Sequence, residues 1–208
     1  MSRGAFIVFE GIDRCGKSTQ SSMLYNKLKS MNIPCLLMKF PDRNTVIGKS
    51  IDNYLSCKSD MEDHSIHLLF SANRWEKSTE IMDCLNAGIT IICDRYAYSG
   101  VAFTSAKGYD INWCKNPDIG LPQPDIVFYL ELSPTIANNR CGFGIERYEN
   151  LQFQNLVYDK FNDLFDTCSV LNRINANADI DTLHSKILQV SLDTIEDIED
   201  SPINKLWT

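Results

Sequence analysis

Residues 5–18 read AFIVFEGIDRCGKS. Ala5–Glu10 is an apolar run of strand length that shows no helical period, which predicts a buried β-strand. Gly11 to Ser18 then satisfies G-x-x-x-x-G-K-[ST], and a helical pattern opens at Lys17 and continues to about Lys29. Strand, glycine-rich turn and helix are the context this loop requires. The glycines let backbone N–H groups converge on phosphate oxygens, and the helix N-terminus adds partial positive charge. In this loop Lys17 is expected to reach the β- and γ-phosphates of a nucleoside triphosphate, and the Ser18 hydroxyl to ligate Mg²⁺. Thr19 reads as a first-turn residue. Cys15 reads as a small residue filling a tight loop, although a thiol at a helix N-terminus is also open to redox chemistry.

Outward from the loop, short apolar runs alternate with helix-period segments. Further strands are expected at Cys35–Phe40, Ile89–Asp94, Ile126–Leu130 and, more weakly, Val170–Asn175. Helical pattern covers Val46–Leu55 and Glu62–Asn86, with Ser59-Asp-Met-Glu62 as a capping box and Gly88 as a stop. More helices are expected near 97–106, 133–140, 149–167 and 180–195. This alternation implies an α/β protein with the P-loop NTPase fold: a central parallel five-stranded sheet with helices on both faces. With 208 residues, no repeat and no linker, the whole of 1–208 is expected to form a single domain. Arg140-Cys-Gly-Phe-Gly-Ile-Glu-Arg147-Tyr148-Glu149 combines glycines, arginines and an aromatic between two helices. It is expected to act as a small lid over about 138–150.

Composition narrows the class. A net charge of −7 argues against a nucleic-acid surface, whose affinity comes from counterion release. The eight arginines nonetheless sit mostly beside turn signals, so a basic pocket for a small enclosed anion fits an acidic chain. None of the eight cysteines forms a C-x-x-C pair, and the three histidines make no ligand cluster with them. Reduced thiols and no metal held by protein ligands alone are the expectation. No apolar run approaches the ~20 residues a membrane span needs, and Met1 to Gly4 shows no leader pattern. A cytoplasmic protein is expected, with the nucleus left open.

A phosphate cradle alone would serve a GTPase, a motor ATPase or a kinase. The nearest string to a guanine-reading N-K-x-D is Asn26-Lys-Leu-Lys29, which lacks the acid. Phe40-Pro41-Asp42-Arg43 and Asp94-Arg95-Tyr96 each put an arginine just past the carboxyl end of a strand. Ligands of open α/β sheets bind there, so both guanidiniums can meet one phosphate. Phe70 and Arg74 are i and i+4 on a helix and share a face. A flat ring beside a donor-only guanidinium suits a nucleobase with a carbonyl.

Taken in order, FEGIDRCGKSTQ (9–20), FPDR (40–43), DHSIHLLFSANRWE (63–76), DRYAYSGVAF (94–103), GLPQPD (120–125) and FGIERYEN (143–150) span nearly the whole chain. They resemble the eukaryotic-type thymidylate kinase (dTMP kinase) family, which includes poxviral members. The resemblance implies transfer of the γ-phosphoryl group of ATP to dTMP, giving dTDP for dTTP synthesis. It implies that Phe70 stacks on thymine, Arg74 donates to its O4, and Arg43 and Arg95 hold the acceptor phosphate. Asp13 would bind the deoxyribose 3′-OH or order the phosphate site. Phe40, Gly100 and Phe103 would line the dTMP pocket with Gln154 nearby, and Tyr148 would crowd the 2′ position. On the donor side it implies ATP binding by Arg14, Cys15, Gly16, Lys17, Ser18 and Thr19, with Arg140 against adenine. Asp94 would support Mg²⁺ through water. A homodimer and a cis Phe40–Pro41 bond are implied as well.

The catalytic set expected is Asp13, Arg14, Lys17 and Arg95. The acceptor is a phosphate monoester, already an oxyanion at pH 7, so no general base is called for. Arg14 within the cradle suits an arginine finger acting in cis, but Arg147 in the lid is a second candidate for that role. Two rival readings remain at this point. A deoxynucleoside kinase would need a base for a neutral 5′-OH, and the Arg43/Arg95 pair speaks against it. A catalytically dead nucleotide-binding subunit is opposed by the intact Asp13, Arg14, Lys17 and Ser18.

Overall fold

The computed structural model describes residues 2–140, 144, 146–166, 168–198 and 201–208. Five parallel strands form one sheet in the order β2-β3-β1-β4-β5. They are β1 (Phe6–Glu10), β2 (Cys35–Lys39), β3 (Thr90–Asp94), β4 (Ile126–Glu131) and β5 (Leu171–Asn175). In register, Phe6 pairs with Ile91 and Phe9 with Asp94 across β1 and β3, while Phe9 pairs with Phe128 across β1 and β4. β1 and β3 are buried throughout and β4 nearly so, which is why they read as unbroken apolar runs. The edge strands β2 and β5 are only partly covered, and β5 reads more weakly.

Helices α1 (Lys17–Ser30), α2 (Val46–Leu55), α3 (Asp63–Trp75), α4 (Ser78–Asn86) and α5 (Ala97–Ser105) precede β4, with a short α6 (Ile111–Lys115) and a 3₁₀ turn (Asn116–Asp118). After β4 come α7 (Pro134–Asn138), α8 (Leu151–Phe165) and α9 (Ile180–Asp197). The main core packs the sheet against Leu24, Leu28, Ile81, Leu85, Val157, Phe161 and Ile187. A smaller apolar cluster of Ile51, Tyr54, Leu55 and Ile66 joins α2 to α3.

Two expectations about this region change. The helix read over 62–86 is two helices broken at Glu76 and Lys77. The Ser78 hydroxyl donates to the Trp75 carbonyl (2.9 Å), occupying the acceptor that a continuing helix would offer to residue 79. The cap of α3 is Glu62 itself, whose carboxylate accepts from His64 and Ser65 N–H, rather than Ser59. α6 and the 3₁₀ turn had no counterpart in the sequence reading. The Phe40–Pro41 bond is cis.

The carboxyl ends of β1, β2 and β3 open toward one side of the sheet. Because the chain crosses from β1 to β2 and returns to β3 between them, a crevice forms there at the switch in strand order.

Candidate active site

That crevice holds a cavity of about 540 Å³. The expected site residues converge on it, except Cys15 and Gln154. Of the expected lid, residues 141–143 and 145 lie outside the described residues.

At one end lies the cradle. Gly11 (φ 142°) and Gly16 (φ 109°) take left-handed conformations that side chains disfavour. A Cβ on Gly11 would fall 2.8 Å from both Cys15 Sγ and the Leu130 carbonyl oxygen. Gly16 is the N-cap of α1 and offers no side chain to cap its first-turn N–H groups, and Lys17, Ser18 and Thr19 of that turn line the cavity. Lys17 is buried, and its ammonium donates to the Ile12 carbonyl (2.6 Å). Cys15 packs under the loop with Sγ 3.4 Å from the Lys17 nitrogen, as a filler would. Ser18 donates to Asp94 through a short hydrogen bond. The other oxygen of Asp94, Oδ1, is buried and has no hydrogen-bond partner among the described residues. An oxygen pair with an unsatisfied carboxylate lone pair fits a hard cation such as Mg²⁺.

In the middle stand the arginines. Arg95 donates to Asp13, to the Gly11 carbonyl (3.0 Å) and to Ser99 Oγ (2.9 Å), and lies over the Phe103 ring. Burial would lower its pKa, but the charges of Asp13, Glu10 and Asp94 outweigh burial and raise it. Arg95 therefore stays a fixed cation. Arg43 donates to Asp52 (2.6 Å) and Glu146 (2.7 Å). Arg14 pairs with Glu149 (3.0 Å), and its carbonyl accepts from Arg140 (2.7 Å). Arg140 also donates to the Ala176 carbonyl, at the outer rim past β5.

At the far end, one face of α3 carries His67, Phe70, Ser71 and Arg74 at spacings of three, four and seven, as a helix requires. Gly100 on α5 leaves room for the Arg74 guanidinium; an added Cβ would sit 2.8 Å from its Nη2. Phe40, Phe103 and Tyr148 complete the walls, and the Tyr148 ring stacks on Phe153.

Two candidate residues lie off the cavity wall. Gln154 is fully buried behind the cavity: it accepts from Asp13 N–H (2.9 Å) and donates to an Asp13 carboxylate oxygen (2.7 Å) and the Tyr148 carbonyl (3.0 Å). It braces Asp13 and does not line the base pocket. Arg147 turns away as well: it lies 4.0 Å over the Tyr54 ring, donates to the Tyr54 and Ser59 carbonyls and pairs with Asp60. Arg14 borders the cavity and Arg147 does not.

Comparison with known proteins shows the family. A family model described as thymidylate kinase matches residues 9–187. The thymidylate kinase of Homo sapiens is 47% identical over 207 residues, covering 99% of this chain and 98% of that one. The chain belongs to the thymidylate kinase family. Another thymidylate kinase, from Arabidopsis thaliana, is 50% identical over 207 residues, covering 99% of this chain and 78% of its own. A solved Candida albicans thymidylate kinase superposes with a TM-score of 0.89 at 38% identity, covering 99% of both chains. Members of the family phosphorylate dTMP to dTDP at the expense of ATP, and the P-loop kinase fold seen here is theirs.

Several residues of this thymidylate kinase site were not singled out from sequence. Glu10, the last residue of β1, is buried and accepts from Tyr96 N–H, Ser99 N–H and Ser99 Oγ. Burial pushes its carboxyl up. A lone acid ending an apolar strand was the signal available. His67 Nε2 lies 3.0 Å from the Cys114 carbonyl, which can only accept, so Nε2 carries the proton and Nδ1 accepts from Thr104 Oγ1 (2.8 Å). Asp118 grips Arg74 from the 3₁₀ turn; in sequence, Asn116-Pro-Asp118 reads only as punctuation.

Proposed function

We propose that this chain transfers the γ-phosphoryl group of ATP to dTMP with the residues in the following roles. Arg14 to Thr19 embrace the ATP phosphates, Cys15 by its backbone, with Arg140 against adenine. Arg43 and Arg95 hold the acceptor phosphate, and Asp13, braced by Gln154, fixes Arg95. Phe70 stacks on thymine between Phe40 and Phe103, Arg74 donates to O4 beside Gly100, and Tyr148 closes the 2′ side of the sugar. What carries this reading is a single cavity that joins a phosphate cradle to an aromatic and guanidinium pocket through Arg43 and Arg95.

The chemistry then needs positioning and charge stabilisation more than proton transfer. The acceptor phosphate attacks as an oxyanion; Lys17 and Arg14 stabilise the charge on the transferring group and the departing ADP. Ser18, and Asp94 through water, would hold Mg²⁺. When bound, Mg²⁺ supplies neutralisation of the β- and γ-phosphates. Cytosine is disfavoured because its 4-amino group meets a donor, and an unpaired donor in a closed pocket costs about 1–3 kcal/mol.

Residues 1–208 are proposed to work as one domain with a lid over about 138–150, in the cytoplasm, with the nucleus left open. No described helix is long and apolar enough to cross a membrane. A homodimer through the outward face of α3 and α4 is proposed from the exposed Leu68 and Trp75 on α3; sedimentation as a monomer at micromolar concentration overturns it. The activity is tested by ADP release across a panel of nucleosides and nucleoside monophosphates. dTMP is expected to lead; preference for thymidine would transfer the assignment to a nucleoside kinase.

A further inference from the structure

We propose that Asp118 is a positioning residue for substrate selection, holding Arg74 so that its remaining N–H donors, those of Nη1 above all, are aimed at the base. The proposal rests on the reading of Arg74 given above.

Asp118 is wholly buried and engages Arg74 with both oxygens, at 3.0 Å from Nε and 2.6 Å from Nη2. Ser71 Oγ lies 2.7 Å from the same Oδ1. The neighbouring Pro117 carbonyl accepts from Trp75 Nε1 (2.7 Å). The 3₁₀ turn is therefore tied to α3 at Ser71, Arg74 and Trp75, and the carboxylate cannot drift. Two guanidinium nitrogens held in a fork fix the plane of the third. Nη1 donates to no described residue and borders Gly100, where an added Cβ would lie 3.1 Å from it. Both Gly100 and Arg74 line the cavity.

A pair this buried adds little stability over apolar packing of the same shape, so its consequence lies in what it immobilises. A pinned Nη1 meets a carbonyl oxygen well and cannot retreat from an amino group. A guanidinium freed from Asp118 can rotate, lose its aim at the carbonyl and tolerate the amino group. The loss should therefore appear as poorer acceptor binding and poorer base discrimination, with the transfer step spared.

The test is Asp118→Asn in the full chain, with steady-state kinetics on dTMP and dCMP. KM for dTMP should rise about tenfold with kcat within about threefold, and the dTMP-over-dCMP ratio of kcat/KM should fall about tenfold. As a control, Asp125→Asn breaks the Arg3–Asp125 pair at the opposite end of β1, away from the cavity, and should leave the ratio unchanged. Arg74→Ala combined with Asp118→Asn should match Arg74→Ala alone; additive losses in the ratio overturn the proposal. If Arg74→Ala leaves the ratio unchanged, the base-reading role of Arg74 itself fails. If Arg74→Ala lowers it while Asp118→Asn keeps it within about twofold, only the Asp118 proposal fails. Should Asp118→Asn not fold, Ser71→Ala loosens the same carboxylate; a smaller fall in the ratio is expected, and an unchanged ratio overturns the proposal.

Discussion

The two ends of the cavity hold their arginines in different ways. At the base end, the Arg74 and Asp118 side chains are 3% and 0% exposed. At the phosphate end, Arg43 and Glu146 are 38% and 35% exposed, and Arg14 is 36% exposed although its partner Glu149 is only 7% exposed. Removing one partner of a desolvated pair costs about 3–5 kcal/mol, whereas exposed pairs contribute about 0–1 kcal/mol. The base end is thus built before substrate arrives. At the phosphate end Arg95 is likewise fixed, 16% exposed beside Asp13, while Arg43 and Arg14 are held by carboxylates that phosphates can replace. Glu146 and Glu149 both lie in the segment proposed as a lid.

The largest expected effect tests the exchangeable end. Arg14→Ala should lower kcat on the order of 10³-fold, the low end of what an arginine finger contributes, with little change in KM for dTMP. Equal losses in turnover and dTMP binding would remove Arg14 from the transfer step. Arg147→Ala should leave kcat far less affected, because that side chain is occupied by Tyr54, Ser59 and Asp60.

Next comes a pH effect confined to the rigid end. Burial, reinforced by the Arg74 charge, pushes His67 down to about 4; Asp118 and the Cys114 carbonyl oppose this and Lys107 adds to it. An unfolded imidazole takes its proton as pH falls through about 6.5, but the folded one does so only near 4. Between these values the unfolded chain binds more protons, so stability falls with falling pH by at most about 3 kcal/mol. His67→Gln should flatten that limb in urea unfolding at pH 7 and pH 4.5. A variant that loses stability as steeply as the parent would exclude His67 as its source.

A third, smaller effect sharpens the rigidity claim. Gly100→Ala puts a methyl group 2.8 Å from Arg74 Nη2, and Asp118 stops the guanidinium from backing away. Overpacking of this kind costs about 1–3 kcal/mol, so KM for dTMP should rise about tenfold while KM for ATP stays constant. Unchanged dTMP kinetics would show that Arg74 has freedom the hydrogen bonds deny it.

The same contrast explains what was legible in the sequence. The cradle, the buried strands and the Phe70–Arg74 face are local: each follows from spacing within one element. Arg43 and Arg95 were legible because strand ends in an open parallel sheet face a common crevice. Asp118 was not, since its partner is 44 residues away and only the packing of the 3₁₀ turn on α3 joins them. The break at Glu76 is not legible in the sequence because the apolar period continues across it while the Ser78 hydroxyl interrupts the backbone ladder. The contact of Gln154 with Asp13 spans 141 residues and has no local signal. Arg147 looked equivalent to Arg14 by charge alone, and only its three-sided contact with Tyr54, Ser59 and Asp60 separates them.

The smallest effect expected has the opposite sign to the others. Glu146 accepts from Arg43 at 2.7 Å, at the nitrogen adjacent to the one Asp52 holds. If the acceptor phosphate takes the place of that carboxylate, binding must first break an ion pair of at most about 1 kcal/mol. Glu146→Gln weakens the pair without changing its size, so KM for dTMP should fall about two- to threefold with kcat little changed. The benefit should shrink as ionic strength rises, because salt already screens a pair this exposed. Base-end substitutions such as Gly100→Ala should show no such salt dependence. A rise in KM for Glu146→Gln would mean that the carboxylate assists the acceptor, and the phosphate end would then be as preorganised as the base end.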